Sequence, residues 1–381
     1  MAFLSAERAK LLVEISDEQL SNIMADAALK RDQHWGKVMT YSRKVFIPLT
    51  NYCRDECKYC TFVKRPGDVN ANIMTPNQVL EVAEKGQQLG CKEALFSLGE
   101  KPELRYKEVR HALRNLGYET LIDYVIAMCK LVITKTTLIP HVNAGNLTDE
   151  EFKKLKKVSA SMGIMLESTS EALLEKGAAH FACPDKVPAL RLSTIERAGQ
   201  QKIPFTTGIL IGIGESWQDR VDSLAKINQL HQRYGHIQEV IVQNFCAKPD
   251  TEMAEFTEPS LHDMLKTLAV ARLMLAPNIS LQAPPNLQEN FQHYIAAGIN
   301  DWGGISPLTR DFINPDNAWP QLMSLATTCQ QEGFKLQERL TVYPEYLTSK
   351  RSFLNEEVNK NLICMMASNG LARHQVALGE Q

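Results

Sequence analysis

The chain has 381 residues, 42 Lys and Arg against 44 Asp and Glu, a formal net charge of −2, and 44% hydrophobic residues. This profile excludes disorder, collagen-like repeats and a disulfide miniprotein. The near-neutral balance argues against nucleic acid as the main partner, because phosphate binding needs an uncompensated basic surface.

The N-terminal stretch MAFLSAERAKLLVEISDEQL carries charges every few residues. It reads as helix and not as a secretory leader. No run of eighteen apolar residues appears, so nothing is expected to span a bilayer, and the cytosol is the expected compartment. Of nine cysteines, three crowd together as Cys53, Cys57 and Cys60. The others, Cys91, Cys129, Cys183, Cys246, Cys329 and Cys364, read as small buried residues. That usage suits a reducing compartment and a metal site.

Short, nearly continuous apolar runs follow one another along the chain: Lys44 to Leu49, Glu93 to Leu98, Leu131 to Ile139, Ser161 to Leu166, Phe205 to Ile211, Glu239 to Gln243, Ile279 to Gln282 and Gly298 to Trp302. Such runs suit parallel strands buried on both faces. Helical patterns lie between them, with readable starts at Thr75-Pro76-Asn77-Gln78, Thr148 with Glu151, Ser216 with Asp219, and Ser260 with Asp263. Repeated strand–helix alternation predicts a (β/α)8 TIM-type barrel with right-handed crossovers. Residues 1–40 read as a helical N-terminal extension, 41–315 as the barrel core, and 316–381 as the last barrel helix and a helical tail.

In such a barrel chemistry sits where strands end. The runs end in Thr50-Asn51-Tyr52-Cys53, Gly99-Glu100-Lys101-Pro102, His141-Val142-Asn143, Glu167-Ser168, Gly212-Ile213-Gly214-Glu215, Gln243-Asn244 and Asp301-Trp302-Gly303-Gly304, nearly all polar or glycine-bearing. The first of these leads into Cys53-x3-Cys57-x2-Cys60. Three thiolates at this spacing can hold a [4Fe-4S] cluster and leave its fourth iron open for a substrate. Structural zinc asks for four ligands, usually in two separated pairs, and no convincing fourth adjoins the triplet.

The segment FIPLTNYCRDECKYCTF resembles the radical S-adenosylmethionine signature. ALFSLGEKPELRY, LIPHVNAGNLT, FTTGILIGIGES, HIQEVIVQNFCAKPDT and GINDWGGISPLTRDFINP narrow the resemblance to the 7,8-didemethyl-8-hydroxy-5-deazariboflavin synthase family. The resemblance runs from about residue 40 to about residue 350. It implies a [4Fe-4S] cluster held by Cys53, Cys57 and Cys60, with S-adenosylmethionine on the open iron and a 5′-deoxyadenosyl radical as the reagent. The implied reaction closes the deazaflavin ring of FO, with loss of ammonia, on an adduct of tyrosine-derived carbon and a ribityl diaminouracil. The implied partners are the subunit that makes that adduct and a flavodoxin or ferredoxin electron donor.

Tyr59, just before the third cysteine, is expected to pack against adenine, the alternative being an aromatic that only covers the cluster. Carried onto this chain, the resemblance puts the Gly208-x3-Gly212-x-Gly214 stretch near adenine and Glu100 on the methionine amino group, the alternative for Glu100 being a loop carboxylate paired with Lys101. Ser168 is expected at the ribose or carboxylate, the alternative being a turn serine. Arg191 is expected at the methionine carboxylate, the alternative being a solvated helix arginine. Asn143, Gln243 and Asn244 are candidate substrate contacts. Trp302 is either a contact to a flat ring or core packing. Asp301 and His141 are candidates to move protons during ring closure.

Overall fold

The structure, a computed structural model, describes residues 4–373. Eight parallel strands close into a barrel: β1 (Val38–Thr50), β2 (Glu93–Leu98), β3 (Ile139–Asn143), β4 (Ser161–Gly163), β5 (Phe205–Ile211), β6 (Ile237–Asn244), β7 (Ser280–Gln282) and β8 (Asp301–Ile305). They neighbour one another in chain order, with β8 pairing β1 and β1 pairing β2 to complete the circle. β5 is buried at every position, as its unbroken apolar run requires of a strand covered on both faces. Helices form the outer layer. Their starts follow the side-chain logic of the sequence: Thr75, Thr148 and Ser216 each make a reciprocal capping box, with Gln78, Glu151 and Asp219.

Three elements depart from expectation. The run from Leu131 to Ile139 is mostly helix: Leu121–Lys135 is helical and begins where Thr120 Oγ1 accepts the Asp123 amide at 3.1 Å. Leu121, Ile122, Tyr124, Val125, Met128, Cys129 and Val132 are all buried, so a broadly apolar helix presents the same composition as a strand. β8 starts at Asp301 and not at Gly298, whose φ of +94° belongs to the preceding turn. The tail expected to be helical contains β9 (Lys335–Arg339), a ninth parallel strand pairing Val38–Ser42 of β1. β1 is thirteen residues long, so its first part serves β9 while its later part pairs β2.

β9 closes the foot of the barrel. Arg339 Nε lies 2.7 Å from Asp301 Oδ2, its NH2 lies 2.9 Å from Glu239 Oε1, and the guanidinium stands 4.4 Å from the Tyr343 ring centre. Tyr343 donates to Glu239 at 3.0 Å. Beside this group, Lys44 pairs with Glu93 at 3.0 Å and Ser42 donates to the same carboxylate at 2.6 Å. Burial alone would raise the Glu93 carboxyl. Lys44 above all, then His141 and Arg339, outweigh it and hold Glu93 at about 2.

Candidate active site

The cysteine loop leaves β1 and crosses the start of the loop after β2. A Cβ at Gly99 would collide with the Tyr52 carbonyl and sit 2.7 Å from Cys53 Cβ, so only glycine lets the two backbones pass. The crossing is tied by Arg54 N to the Glu100 carbonyl at 3.1 Å and by Glu100 N to Cys53 Sγ at 3.2 Å. Cys57 and Cys60 pack into an apolar patch with Tyr59, Leu173, Leu210, Ile213 and Phe245.

This donor set is three sulfurs on one short loop, one buried and two half-buried beside an apolar patch, which fits an iron–sulfur cluster. Burial pushes the Cys53 thiol up to about 12 and the Cys60 thiol upward, so metal must displace their protons. The Cys57 thiol moves the other way, because the Cys183 thiol donates to it and outweighs burial.

Next to the cysteines lies a buried charge network. Glu100 Oε1 accepts the Asn146 amide at 2.5 Å. Asp55, Glu100 and Asp185 place carboxylate oxygens within 4.8 Å of one another. Burial, helped by Asp185 and Asp55 and opposed by Arg191, raises the Glu100 carboxyl to about 7. An arriving ammonium would relieve that crowding, in line with the role that the resemblance implies for Glu100. Arg191 is 4% exposed and so is no solvated helix arginine. It donates to the carbonyls of Met165 at 2.6 Å and Asp185 at 3.1 Å, and stands 3.8 Å from Glu100 and 3.7 Å from Glu167.

Glu167 is the hub the sequence reading passed over. Its backbone takes a φ of +65°, and its carboxylate meets the Tyr59 hydroxyl, Lys186, and His180 Nε2 at 3.0 Å. Burial would raise its carboxyl; Lys186, His180 and Arg191 outweigh burial and hold it well below the usual carboxylate range. The readable signal was its place at a strand end beside Ser168. Ser168 itself accepts the Ser170 amide at 3.1 Å, the role of a turn serine.

The glycine stretch after β5 brings backbone to the same side. Gly212 and Gly214 take φ of +90° and +108°. Glu215 accepts the amides of Gly212 at 2.8 Å and Ile213 at 2.9 Å, and Arg220 braces it at 2.7 Å. The turn is thus fixed by one carboxylate, with Ile213 packed in the patch that holds Tyr59.

Below the mouth the lumen holds a cavity of about 220 Å³, lined among others by Phe46, His141, Asn143, Gln243 and Trp319. His141 Nδ1 lies 2.6 Å from Ser161 Oγ and its Nε2 3.0 Å from Asn143 Oδ1. Gly163 leaves room for this pair, since a Cβ there would sit 2.5 Å from Asn143 Oδ1. Burial lowers His141 to about 4, so the ring is neutral near pH 7 and suits hydrogen bonding better than proton abstraction. Trp319 stacks on Phe46 with ring centres 5.5 Å apart and planes at 18°.

Three expected site residues lie elsewhere. Asp301 starts β8 at the barrel foot, fully buried, where Arg339, Thr40 and the Gly303 amide occupy its oxygens. It is a structural anchor and not a proton carrier. Trp302 points outward, edge-on to Phe291 at 5.4 Å, with Nε1 3.3 Å from Cys329 Sγ, so core packing is its role. Gly303, at φ +74°, belongs to the bulge in β8 that turns the chain between Trp302 and lumen-facing Gly304. Asn244 follows Gln243 and so takes the opposite face, donating to the Leu287 carbonyl at 3.2 Å. Lys44 and Glu93, which face the lumen, were readable as charged residues opening two apolar runs.

A model of the radical SAM superfamily matches residues 47–227. FO synthase of Mycobacterium tuberculosis is 44% identical over 388 residues, covering 97% of this chain and 45% of that protein. The 7,8-didemethyl-8-hydroxy-5-deazariboflavin synthase of Methanopyrus kandleri is 44% identical over 337 residues, covering 88% of this chain and all of that protein. The chain belongs to the 7,8-didemethyl-8-hydroxy-5-deazariboflavin synthase family. The cofactors of this radical SAM family are a [4Fe-4S] cluster and S-adenosylmethionine. The chain spans about half the length of the mycobacterial relative, at 45%. Among solved structures the fold is shared with methylornithine synthase (TM-score 0.68, 19% identity, 88% of this chain and 94% of that one). It is shared too with the FeFe-hydrogenase maturase HydG of Carboxydothermus hydrogenoformans (TM-score 0.71, 18% identity, 94% and 84%).

Proposed function

We propose that this chain is the ring-closing synthase of FO formation, acting on the tyrosine–ribityl diaminouracil adduct with release of ammonia. The observation that carries the reading is the match, at 44% identity, to the whole length of a protein named 7,8-didemethyl-8-hydroxy-5-deazariboflavin synthase. Cys53, Cys57 and Cys60 hold the cluster, and when bound it supplies the electron that splits S-adenosylmethionine to the 5′-deoxyadenosyl radical. Glu100 receives the methionine ammonium. Arg191 neutralises the neighbouring carboxylates and faces the methionine carboxylate. The Gly212–Gly214 turn and Tyr59 flank adenine.

The lumen supports the choice of substrate. Asn143, Gln243 and neutral His141 offer uncharged hydrogen-bonding groups suited to a uracil edge and a ribityl chain, and the Phe46–Trp319 stack offers a flat apolar wall to an aromatic ring. The buried Arg339, Asp301 and Glu239 network occupies the foot, so the substrate is proposed to enter from the mouth. An electron donor of the flavodoxin or ferredoxin kind and a separate source of the adduct complete the reaction.

The test is substrate choice under anaerobic reconstitution. The chain alone, given S-adenosylmethionine, reductant and adduct, should yield fluorescent FO together with 5′-deoxyadenosine. Given tyrosine and the diaminouracil without the adduct-forming partner, it should yield neither. Turnover of free tyrosine by this chain would assign it the coupling step instead.

A further inference from the structure

Cys183 has no part in the chemistry assigned above, yet the fold holds it tightly against the cysteine loop. The Lys58 amide donates to the Ala179 carbonyl at 3.0 Å, and the Asp185 amide donates to Asp55 Oδ1 at 3.2 Å. Arg54 forms a two-pronged ion pair with Asp185. Between these ties Ala182 takes a φ of +62°, and the Glu56 amide donates to the Cys183 sulfur at 3.3 Å. The outcome is a sulfur 3.7 Å from Cys57 Sγ on a residue only 3% exposed.

A thiol has one proton to give. With the Glu56 amide fixing the sulfur, the proton has two acceptors in reach: Cys57 Sγ and the Phe181 carbonyl at 3.6 Å. Once Cys57 is a metal-bound thiolate it is the better acceptor, because hydrogen bonds to an ionised partner are about twice as strong as neutral ones. Hydrogen bonds to ligand sulfurs withdraw charge from an iron–sulfur cluster and set its potential. We propose that Cys183 is a positioning residue for the cluster: its S–H donates to the Cys57 sulfur and makes the cluster easier to reduce. The triplet already fills the three protein positions, so Cys183 acts from behind Cys57 and does not ligate iron.

The experiment compares the parent with Cys183→Ser, Cys183→Ala and Cys183→Val, each reconstituted anaerobically without substrate. Iron and sulfide content comes first. The midpoint potential is then read by EPR-monitored redox titration, and exchangeable deuteron coupling to the reduced cluster by ENDOR after transfer to D2O. All four chains should load equal iron. The alanine and valine variants should titrate at more negative potential and lose a deuteron coupling, while serine, which keeps a donor, should stay nearer the parent. Unchanged potentials and couplings in alanine and valine overturn the proposal. So does failure of both to load iron, which would make Cys183 a ligand or a structural element. The inference rests on cluster binding by the triplet: a parent that binds no iron overturns that assignment and this one with it.

Discussion

At the scale of single residues, the site works by crowding charge where water cannot reach it. Glu100 sits beside two other carboxylates with its carboxyl raised to about 7, a position that an ammonium ligand improves. Replacing it with glutamine keeps shape and removes charge. A hydrogen bond to a charged group contributes about 1.5–3 kcal/mol, so Glu100→Gln should weaken S-adenosylmethionine binding by roughly ten- to a hundredfold in calorimetry on the cluster-loaded protein. Unchanged affinity would move the methionine site elsewhere. The cysteine loop and Glu100 could be singled out in the sequence from their spacing and strand-end position, and the fold brings them into contact. Glu167 could not be, since four partners from distant segments, Tyr59, His180, Lys186 and Arg191, give it meaning only after folding. Asp301 and Trp302 misled for a related reason: the string DWGGI opens a strand, and polar residues near glycines look alike at either end of one.

At the scale of elements, periodicity and caps read well while exceptions came from tertiary context. Strand β5 and the capping boxes at Thr75, Thr148 and Ser216 needed no partner to be recognised. The helix Leu121–Lys135 was hidden by its broad apolar surface. β9 was hidden by its brevity and by the sequence KLQER, whose strand identity depends on the free edge of β1. The structure gives β9 a clear task, since Arg339 neutralises Asp301 and Glu239 at the barrel foot. Removing one partner of a buried ion pair costs about 3–5 kcal/mol. Arg339→Met should therefore lower the urea midpoint by an amount corresponding to that range, with m unchanged. A loss under about 1 kcal/mol would mean that the network at the foot is dispensable.

At the scale of the whole molecule, buried histidines tie stability to pH. Burial lowers His141 and His231 to about 4 and His236 to about 3. Unfolding restores their ordinary values near 6.5, so between about pH 6.5 and 4.5 the unfolded chain binds up to about three more protons on these rings. Glu100 opposes them, because its raised carboxyl holds a proton in the fold that the unfolded chain releases over the same window, and burial moves the Asp55 and Glu239 carboxyls in the same direction. The three rings carry the larger shifts, so cluster-free protein should lose stability on acidification from pH 6 to 5. Urea titrations at those two values check it, and equal or rising stability at pH 5 would refute it. Among the described residues no helix is long and apolar enough to cross a membrane. The proposed function places the cofactor at the barrel mouth, where three thiols meet a buried charge network. Mössbauer spectroscopy of 57Fe-reconstituted protein tests that reading most directly. Adding S-adenosylmethionine should change the isomer shift of one iron in about four, since three are tied to Cys53, Cys57 and Cys60. Four irons that all stay unchanged, or a protein that takes up none, would contradict it.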